Sequence, residues 1–383
     1  MKYKLGEICS FQSGGTPSKT NAAYFSGDIP WITTVALNGQ VIGKQAAVDW
    51  ITKKAIAESA AKIVPARSIM IGTRVGVGKV AINESPMSTS QDIISLVGID
   101  ESLWSKEFLC RFIQAKESYL KSQARGATIK GIKIDVLASL DLPDVSIDSQ
   151  QEIVAVLDKI QNILAARRSQ LSALDDLIKA RFVEMFGDLR SNPRGWPVYC
   201  FEDITEIITD GEHATPRRVD QGIYLLSARN VLDHALQLDD VDFIDQNEYD
   251  RIAKRIVPQA GDVLISCSGS VGRCCTVPEG LKFQMVRSAA LLRFDKRVLP
   301  VYAEYMITSD DLQDQINSSK TASSQANLFQ GKIAKLKGFV PPIAQQEQFV
   351  AFVSQIDKSK SVIQKSLDET QLLFDSLMQK YFG

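Results

Sequence analysis

The stretch 150–187, QQEIVAVLDKIQNILAARRSQLSALDDLIKARFVEMFG, decides the fold, because 345–383, QQEQFVAFVSQIDKSKSVIQKSLDETQLLFDSLMQKYFG, repeats its plan. In the first stretch Ile153, Ile160, Arg167, Leu174 and Arg181 fall at sevens, and Leu157, Leu164, Leu171, Ile178 and Met185 form a second series four residues later. An offset of 196 carries these onto Phe349, Ile356, Ile363, Thr370 and Leu377, then Val353, Lys360, Leu367, Phe374 and Tyr381. Interleaved series of this kind make the a/d seam of a coiled coil. The polar intruders do not coincide: Arg167 gives way to Ile363, Arg181 to Leu377, Leu174 to Thr370 and Leu164 to Lys360. Each helix, roughly 50 Å long at about 1.5 Å per residue, therefore supplies apolar partners where the other lacks them. An antiparallel pair within one chain is expected, with a globular part at each end. A zipper between two chains is the alternative.

Outward from the helices the repeat continues. Leu5-Gly6-Glu7-Ile8 corresponds to Phe201-Glu202-Asp203-Ile204, Thr16-Pro17 to Thr215-Pro216, and Ile63-Val64-Pro65 to Ile256-Val257-Pro258. Met70-Ile71 through Val77-Gly78-Lys79 matches Leu264-Ile265 through Val271-Gly272-Arg273 at an offset of 194. Ile134, Leu137, Leu140 and Pro143 recur as Ile333, Leu336, Phe339 and Pro342 at 199, and Gln150-Gln151-Glu152 as Gln345-Gln346-Glu347. Met185-Phe186-Gly187 is echoed by Tyr381-Phe382-Gly383. Each globular part reads as short mixed strands punctuated by Gly, Pro, Asn and Asp. Ser68–Ile71 and Val263–Ser266 have buried-strand length, and amphipathic helices are expected near Trp104–Leu120 and Tyr302–Ile316. The expected fold class is α+β: two mixed domains, 1–148 and 191–343, each followed by a long helix, 149–190 and 344–383.

The 383 residues, 45% hydrophobic and 23% charged, have the composition of an ordinary folded protein. No run approaches the roughly 18 apolar residues of a spanning helix. Met1–Ser10 shows no signal-peptide pattern, so the cytoplasm is the default location. Cys9, Cys110, Cys200, Cys267, Cys274 and Cys275 form no C-x-x-C pair and read as reduced, packed thiols. With His213 and His234 as the only histidines, neither zinc nor a histidine-based centre shared by the repeats is expected.

Near-catalytic motifs fail on inspection. Gly72–Lys79 resembles a phosphate loop, but its first glycine is one residue too far away, and Val80 stands where a hydroxyl should bind magnesium. Gly76-Val77-Gly78-Lys79-Val80-Ala81 matches G-x-G-x-x-A, yet Ser85-Pro86 interrupts the helix that should follow, so a strand–turn–strand is the better reading.

What remains is polar recognition chemistry. The net charge is −1, which excludes a generally basic chain, but the balance is uneven. Residues 1–145 carry 17 Lys and Arg against 13 Asp and Glu, whereas 191–340 carry 17 against 20. Two turns rich in short donors, Gly14–Asn21 and Gly211–Arg218, offer Lys19, Thr20, Asn21, Arg217 and Arg218. The matched turns offer Arg74 and Lys79, then Ser268, Ser270 and Arg273. Ser90, Gln91, Arg125 and Lys130 join them in the first copy, and Arg229, Asn230, Gln284, Arg287 and Asn327 in the second. Lys and Arg neutralise phosphates, while Arg, Asn and Gln read base edges.

The chain resembles the specificity subunit of type I restriction–modification systems over essentially its whole length. The resemblance rests on Gly126-Ala127-Thr128-Ile129-Lys130-Gly131 leading to Leu142-Pro143, and on Gln150-Gln151-Glu152-Ile153-Val154. Pro341-Pro342-Ile343-Ala344-Gln345-Gln346-Glu347, Gly14-Gly15-Thr16-Pro17 and Ile29-Pro30-Trp31-Ile32 carry it further. The second copy departs at Ala326-Asn327-Leu328-Phe329-Gln330-Gly331, which replaces the G-x-T-x-x-G turn. The resemblance implies a non-catalytic subunit whose two target recognition domains each read half of a split, asymmetric double-stranded DNA site. The helices would fix the spacer and dock two methyltransferase subunits. S-adenosylmethionine and ATP would be bound by partners and not by this chain, with two restriction subunits joining in a full system for phage defence. A system serving methylation alone is equally compatible. A non-catalytic scaffold with protein-binding ends is the alternative from a different class, and an enzyme with an unrecognised site a further one.

Overall fold

The computed structural model describes residues 3–126, 130–319 and 327–383. Ala127, Thr128, Ile129 and Ala326, singled out above, lie outside the described residues. The chain divides into two compact units, Met1–Arg168 with Lys365–Gly383, and Ser169–Gln364. This differs from a scheme of four consecutive domains. Each long helix begins in one unit and ends in the other, because the apolar residues at its two ends belong to different cores.

In the first unit, a five-stranded sheet runs in the order Ser10–Ser13, Ile93–Val97, Ile69–Gly72, Val80–Asn83, Val41–Ile42. Every residue of Ile69–Gly72 is buried, and alternation assigns its side chains to two cores. Ile69 and Ile71 face a cluster with Val80, Ile82, Leu96, Phe108 and Phe112. Met70 faces another with Ala81, Ile93, Ile32 and Met87. A second sheet, ordered Asp49–Ile51, Phe25–Ile32, Met87–Thr89, Ile63–Val64, contains the parallel pairs Trp31–Ser88 and Ile32–Thr89.

The second unit repeats this plan. Its sheet runs Thr205–Asp210, Ala289–Phe294, Val263–Ser266, Cys274–Thr276. Val263 and Ile265 face one core and Leu264 the other. Parallel pairs Leu225–Gln284 and Leu226–Met285 stand where Trp31–Ser88 and Ile32–Thr89 stand in the first unit, which places Leu225 at the Trp31 position. Helices form where expected, each broken once: Lys106–Ala115 and Glu117–Gln123, then Pro300–Ile307 and Asp310–Ser319, of which Pro300–Ile307 is buried nearly all round and not amphipathic.

The long helices are Ile147–Phe186 and Ile343–Phe382, 40 residues each. In the first unit the start of one meets the end of the other, with Leu157 in one cluster with Phe374, Leu377, Tyr381 and Phe382. In the second, Ile178, Phe182 and Phe186 share a core with Phe349, Val353 and Ile356, and Lys360 reaches Asp175 at 2.5 Å. The packing is antiparallel within each unit, as the heptads imply. Near its end the central helix buries Phe182 and Phe186 where a strict heptad names Arg181 and Met185. A straight helix of 3.6 residues per turn drifts off a 3.5-residue seam in that way. Arg181 instead lays its guanidinium 5.8 Å from the Phe352 ring.

Two registers differ from the sequence matches. The Leu5 amide donates to the Leu140 carbonyl and the Phe201 amide to that of Leu336. That equates Leu140 with Leu336, an offset of 196 and not 199. The three-residue error arises because an apolar helical face overlaps itself after a shift of three or four. Likewise, buried Gln150 corresponds to Gln346 and not to Gln345. The Gln150 carboxamide accepts from the Ser105 amide at 2.9 Å and donates to the Leu103 and Val145 carbonyls at 3.1 and 3.2 Å. Gln346 accepts from the Leu299 amide at 2.9 Å and donates to the Arg297 and Pro341 carbonyls at 2.9 and 2.8 Å. The same clasp roots each long helix in the globular part that precedes it.

Candidate nucleic-acid interface

The turn between Ile69–Gly72 and Val80–Asn83 is a strand–turn–strand. The Gly72 amide donates to the Lys79 carbonyl at 2.8 Å and the Gly78 amide to that of Gly72 at 3.0 Å. Its counterpart uses Ser266 to Arg273 at 2.9 Å and Gly272 to Ser266 at 2.9 Å. Gly78 (φ 84°) and Gly272 (φ 97°) both occupy the left-handed region, where a side chain would be strained. The turn holds Arg74 and Lys79 in solvent, and no carboxylate pairs with either among the described residues. Ser270 is exposed and Arg273 half-buried in the equivalent turn. There the Ser270 carbonyl accepts from the Ser266 hydroxyl at 2.6 Å.

Arg125 exchanges backbone hydrogen bonds with Gly131, and the Ile132 amide donates to the Thr73 carbonyl at 2.8 Å. These bonds bring Arg125 to Arg74, and the two line one cleft with Gln123, Gly131, Ile132, Lys133 and Val136. Lys130 lies exposed just before Gly131. Lys133 was missed by sequence reasoning, although its spacing of three from Lys130 was visible.

The glycine turns are equivalent too. Gly14 and Gly15 donate to the Ile93 and Thr89 carbonyls at 3.0 and 2.9 Å, and Gly211 and Glu212 to those of Ala289 and Met285 at 3.1 and 2.8 Å. A Cβ on Gly14 would lie 2.2 Å from the Ser90 carbonyl oxygen, and one on Gly211 2.3 Å from that of Met285, so only glycine fits. The first turn leaves Lys19 and Thr20 exposed, with Gln91 beside them through its amide to the Thr16 hydroxyl at 3.4 Å. Thr20 shares a hydrogen bond with Ser18 at 2.8 Å. Asn21 is half-buried and caps a short helical turn by accepting from the Ala23 amide at 3.2 Å. Arg287 takes the place of Gln91 in the second unit, its amide donating to the Glu212 carbonyl at 3.1 Å and its side chain exposed.

The arginines expected to face outward in the second unit are mostly paired. Arg217 meets Asp245, Arg218 meets Asp242 at 2.8 Å, and Arg229 meets Asp242 at 3.1 Å and Asp240 at 3.7 Å. The Arg218 guanidinium holds the Asp242 carboxyl below its usual range. The exposed arginines remain reachable, because surface ion pairs exchange readily for other anions. Asn230 does not remain reachable and is a correction. It is fully buried, accepting from the Ser227 amide at 2.9 Å and donating to the Gln237 and Asp240 carbonyls at 3.0 and 2.9 Å. Gln284 is buried as well, donating to the Ile256 carbonyl at 3.0 Å, and Ser90 lies inside the fold. The Asn230 carboxamide is spent on backbone groups, whereas Gln284 Oε1 and the Ser90 hydroxyl are buried without a hydrogen-bond partner among the described residues.

The histidines each meet a carboxylate, and most of the thiols are buried. His213 lies 2.8 Å from Asp210, and His234 lies 2.6 Å from Glu304 while stacking on Tyr305 at 4.1 Å. Burial pushes the thiols of Cys110, Cys267 and Cys275 up to about 12, and that of Cys274 well above the ordinary value. Thiols so protonated are poor nucleophiles and poor metal ligands. Among the described residues, no group of three or more His, Cys, Asp or Glu is placed to hold a metal, and no helix is long and apolar enough to cross a membrane. The long helices carry exposed apolar side chains: Val156, Ile163, Leu177 and Val183 on the central one, Val362, Leu372 and Leu373 on the C-terminal one.

Comparison with known proteins agrees with this construction. The family described as the type I restriction modification DNA specificity domain matches residues 1–173 and again 193–370. The MjaIX specificity subunit of Methanocaldococcus jannaschii is 28% identical over 234 residues, covering 56% of this chain and 54% of that one. The EcoR124I/EcoR124II specificity subunit of Escherichia coli is 30% identical over 166 residues, or 42% of this chain and 40% of its own. The chain thus spans about half the length of these relatives in the matched regions. The EcoprrI specificity subunit of Escherichia coli is 23% identical over 370 residues, covering 92% and 86%. Two solved structures share the fold over the full chain. The S subunit of a type I restriction–modification system from M. genitalium has TM-score 0.56 at 14% identity, covering 100% of this chain and 96% of that one. A chain from a study of complex assembly and conformational transition in a type I system has TM-score 0.63 at 16%, covering 100% and 97%.

Proposed function

The chain belongs to the family of type I restriction modification DNA specificity domains, and on that premise we propose that it is the DNA-reading subunit of a type I complex. Each unit reads one half of a bipartite, asymmetric duplex site. The observation that carries this is one backbone framework presented twice with different polar side chains at equivalent places: Arg74 against Ser268, Lys79 against Arg273, Gln91 against Arg287. Equal scaffolds with unequal donors and cations should read unequal half-sites.

The paired helices set the unread spacer between the half-sites. Two methyltransferase subunits dock on them, which accounts for Val362, Leu372 and Leu373 standing in solvent on the C-terminal helix. The partners bind S-adenosylmethionine and, where restriction subunits join, ATP; this chain binds neither and performs no chemistry. It works in the cytoplasm, where the DNA is.

Mapping methylated bases in cells that co-express this chain with its methyltransferase subunit tests the proposal. The expected result is a split motif with a fixed gap, lost when residues 191–383 are deleted. Absence of a new motif, with the subunits co-purifying and the methyltransferase active beside another specificity subunit, would turn the reading toward a protein-binding scaffold.

A further inference from the structure

The cleft beside the 72–79 turn and its place in the second unit share a backbone but not a character. In the first unit Arg74 runs past Gly131, where a Cβ would lie 3.1 Å from Arg74 Cγ and 3.0 Å from the Thr73 carbonyl oxygen. In the second, the Leu328 amide donates to the Cys267 carbonyl at 2.9 Å, as Ile132 does to Thr73. Ser268 therefore takes the place of Arg74, and Asn327 that of Gly131. The exchange conserves space, with a long cation beside a glycine in one copy and a short hydroxyl beside a larger residue in the other. Counting on from Leu328, Phe329 occupies the place of Lys133, and it is 59% exposed.

Around this cleft the first unit is a donor surface. Arg74, Arg125 and Lys133 wall it together with Gln123. None of the three cations has a carboxylate partner among the described residues. In the second unit Arg217, Arg218, Arg229, Arg251, Arg255 and Arg293 are all paired with Asp or Glu. The major-groove edge of a base pair presents donors and acceptors together, whereas a phosphodiester presents acceptors alone. Three cations converging without an acid suit the phosphodiester, and the apolar Ile132 and Val136 beside them strengthen the local field.

We propose that Arg74, Arg125 and Lys133 form a clamp for one backbone phosphate of duplex DNA in the first unit, whereas the second unit carries Ser268 and Phe329 at the places of Arg74 and Lys133. The inference rests on the reading of the chain as a DNA-recognition subunit. It makes the two half-sites unequal in physics as well as in sequence: among the described residues, neutral Ser268 and Phe329 stand where the first unit carries Arg74 and Lys133.

The test uses the full chain with its methyltransferase subunits and a mixed-sequence duplex of about 40 base pairs, titrated over roughly 50–200 mM salt. Replacing the three cations together (Arg74→Gln, Arg125→Gln, Lys133→Gln) should lower the slope of log affinity against log salt by about 1, the share of one phosphate. Affinity should fall by the same factor on duplexes bearing and lacking the methylated motif, because phosphate contacts carry no base information. Arg74→Lys with Arg125→Lys should keep the slope. If the triple variant melts early, Arg74→Gln and Arg125→Gln alone, each on an exposed side chain, should each lower the slope. An unchanged slope with wild-type binding intact overturns the clamp, and so does a loss confined to the motif. Failure of the wild-type complex to bind either duplex overturns the DNA-recognition reading itself.

Discussion

Replacing Gln346 with leucine should cost the second unit about 3 kcal/mol. The carboxamide is fully buried and makes three hydrogen bonds of 2.8–2.9 Å, to the Leu299 amide and to the Arg297 and Pro341 carbonyls. Each is worth about 1 kcal/mol net, and leucine fills nearly the same volume, so little cavity energy is added. The loss is concentrated in backbone groups left without partners, which makes the estimate a lower one. Urea unfolding should register it as a fall in midpoint of about 1–3 M for the transition of that unit. Hydrogen exchange should register it at one amide, that of Leu299, which loses its acceptor. Gln150→Leu should cost the first unit the same, exposing the Ser105 amide. Gln345→Leu, one residue from Gln346 and outside the clasp, should stay within about 0.5 kcal/mol. A cost below about 1 kcal/mol for Gln346→Leu, or an equal cost at Gln345, would refute the view that this glutamine fastens the helix.

Two further outcomes follow from packing and burial. Phe382→Ala removes a ring that lies 5.2 Å from Phe108 and 6.3 Å from Phe112. It should destabilise the first unit by about 3–5 kcal/mol in a thermal melt, and a wild-type melt would contradict the role of the C-terminal helix in that core. Burial of Cys267 and Cys275 raises their thiols from 9.0 to about 12. Across that window the unfolded chain has released protons that the folded chain keeps, so stability should fall as pH rises and show no thiol contribution below it. Melting temperatures against pH should show this decline, shallower in Cys275→Ala; a flat profile would contradict it.

Much of this architecture is legible in the sequence because the repeat and the heptads are long-range patterns that local accident cannot imitate. The short strands were legible where both faces are buried, as at Ile69–Gly72 and Val263–Ser266, since an uninterrupted apolar run needs two cores to receive it. Register was less secure. Leu137 and Leu140 match Leu336 and Phe339 in sequence but correspond to Ile333 and Leu336 in space, because helical periodicity tolerates a slip of three. Polar function was least legible. Asn230 and Arg229 are neighbours of similar recognition chemistry, yet one is sealed inside a turn and the other reaches solvent. A carboxamide that satisfies backbone groups and one that reads a base have the same composition, and only burial separates them. Lys133 shows the converse, unremarkable in sequence until Arg74 and Arg125 are folded against it.

On the proposed function, each unit reads its own half-site and the helices fix the unread gap. Inserting four residues into one long helix and mapping the methylated motif tests it most directly. The account predicts a changed gap with both half-sites intact. Altered half-sites with an unchanged gap would contradict it.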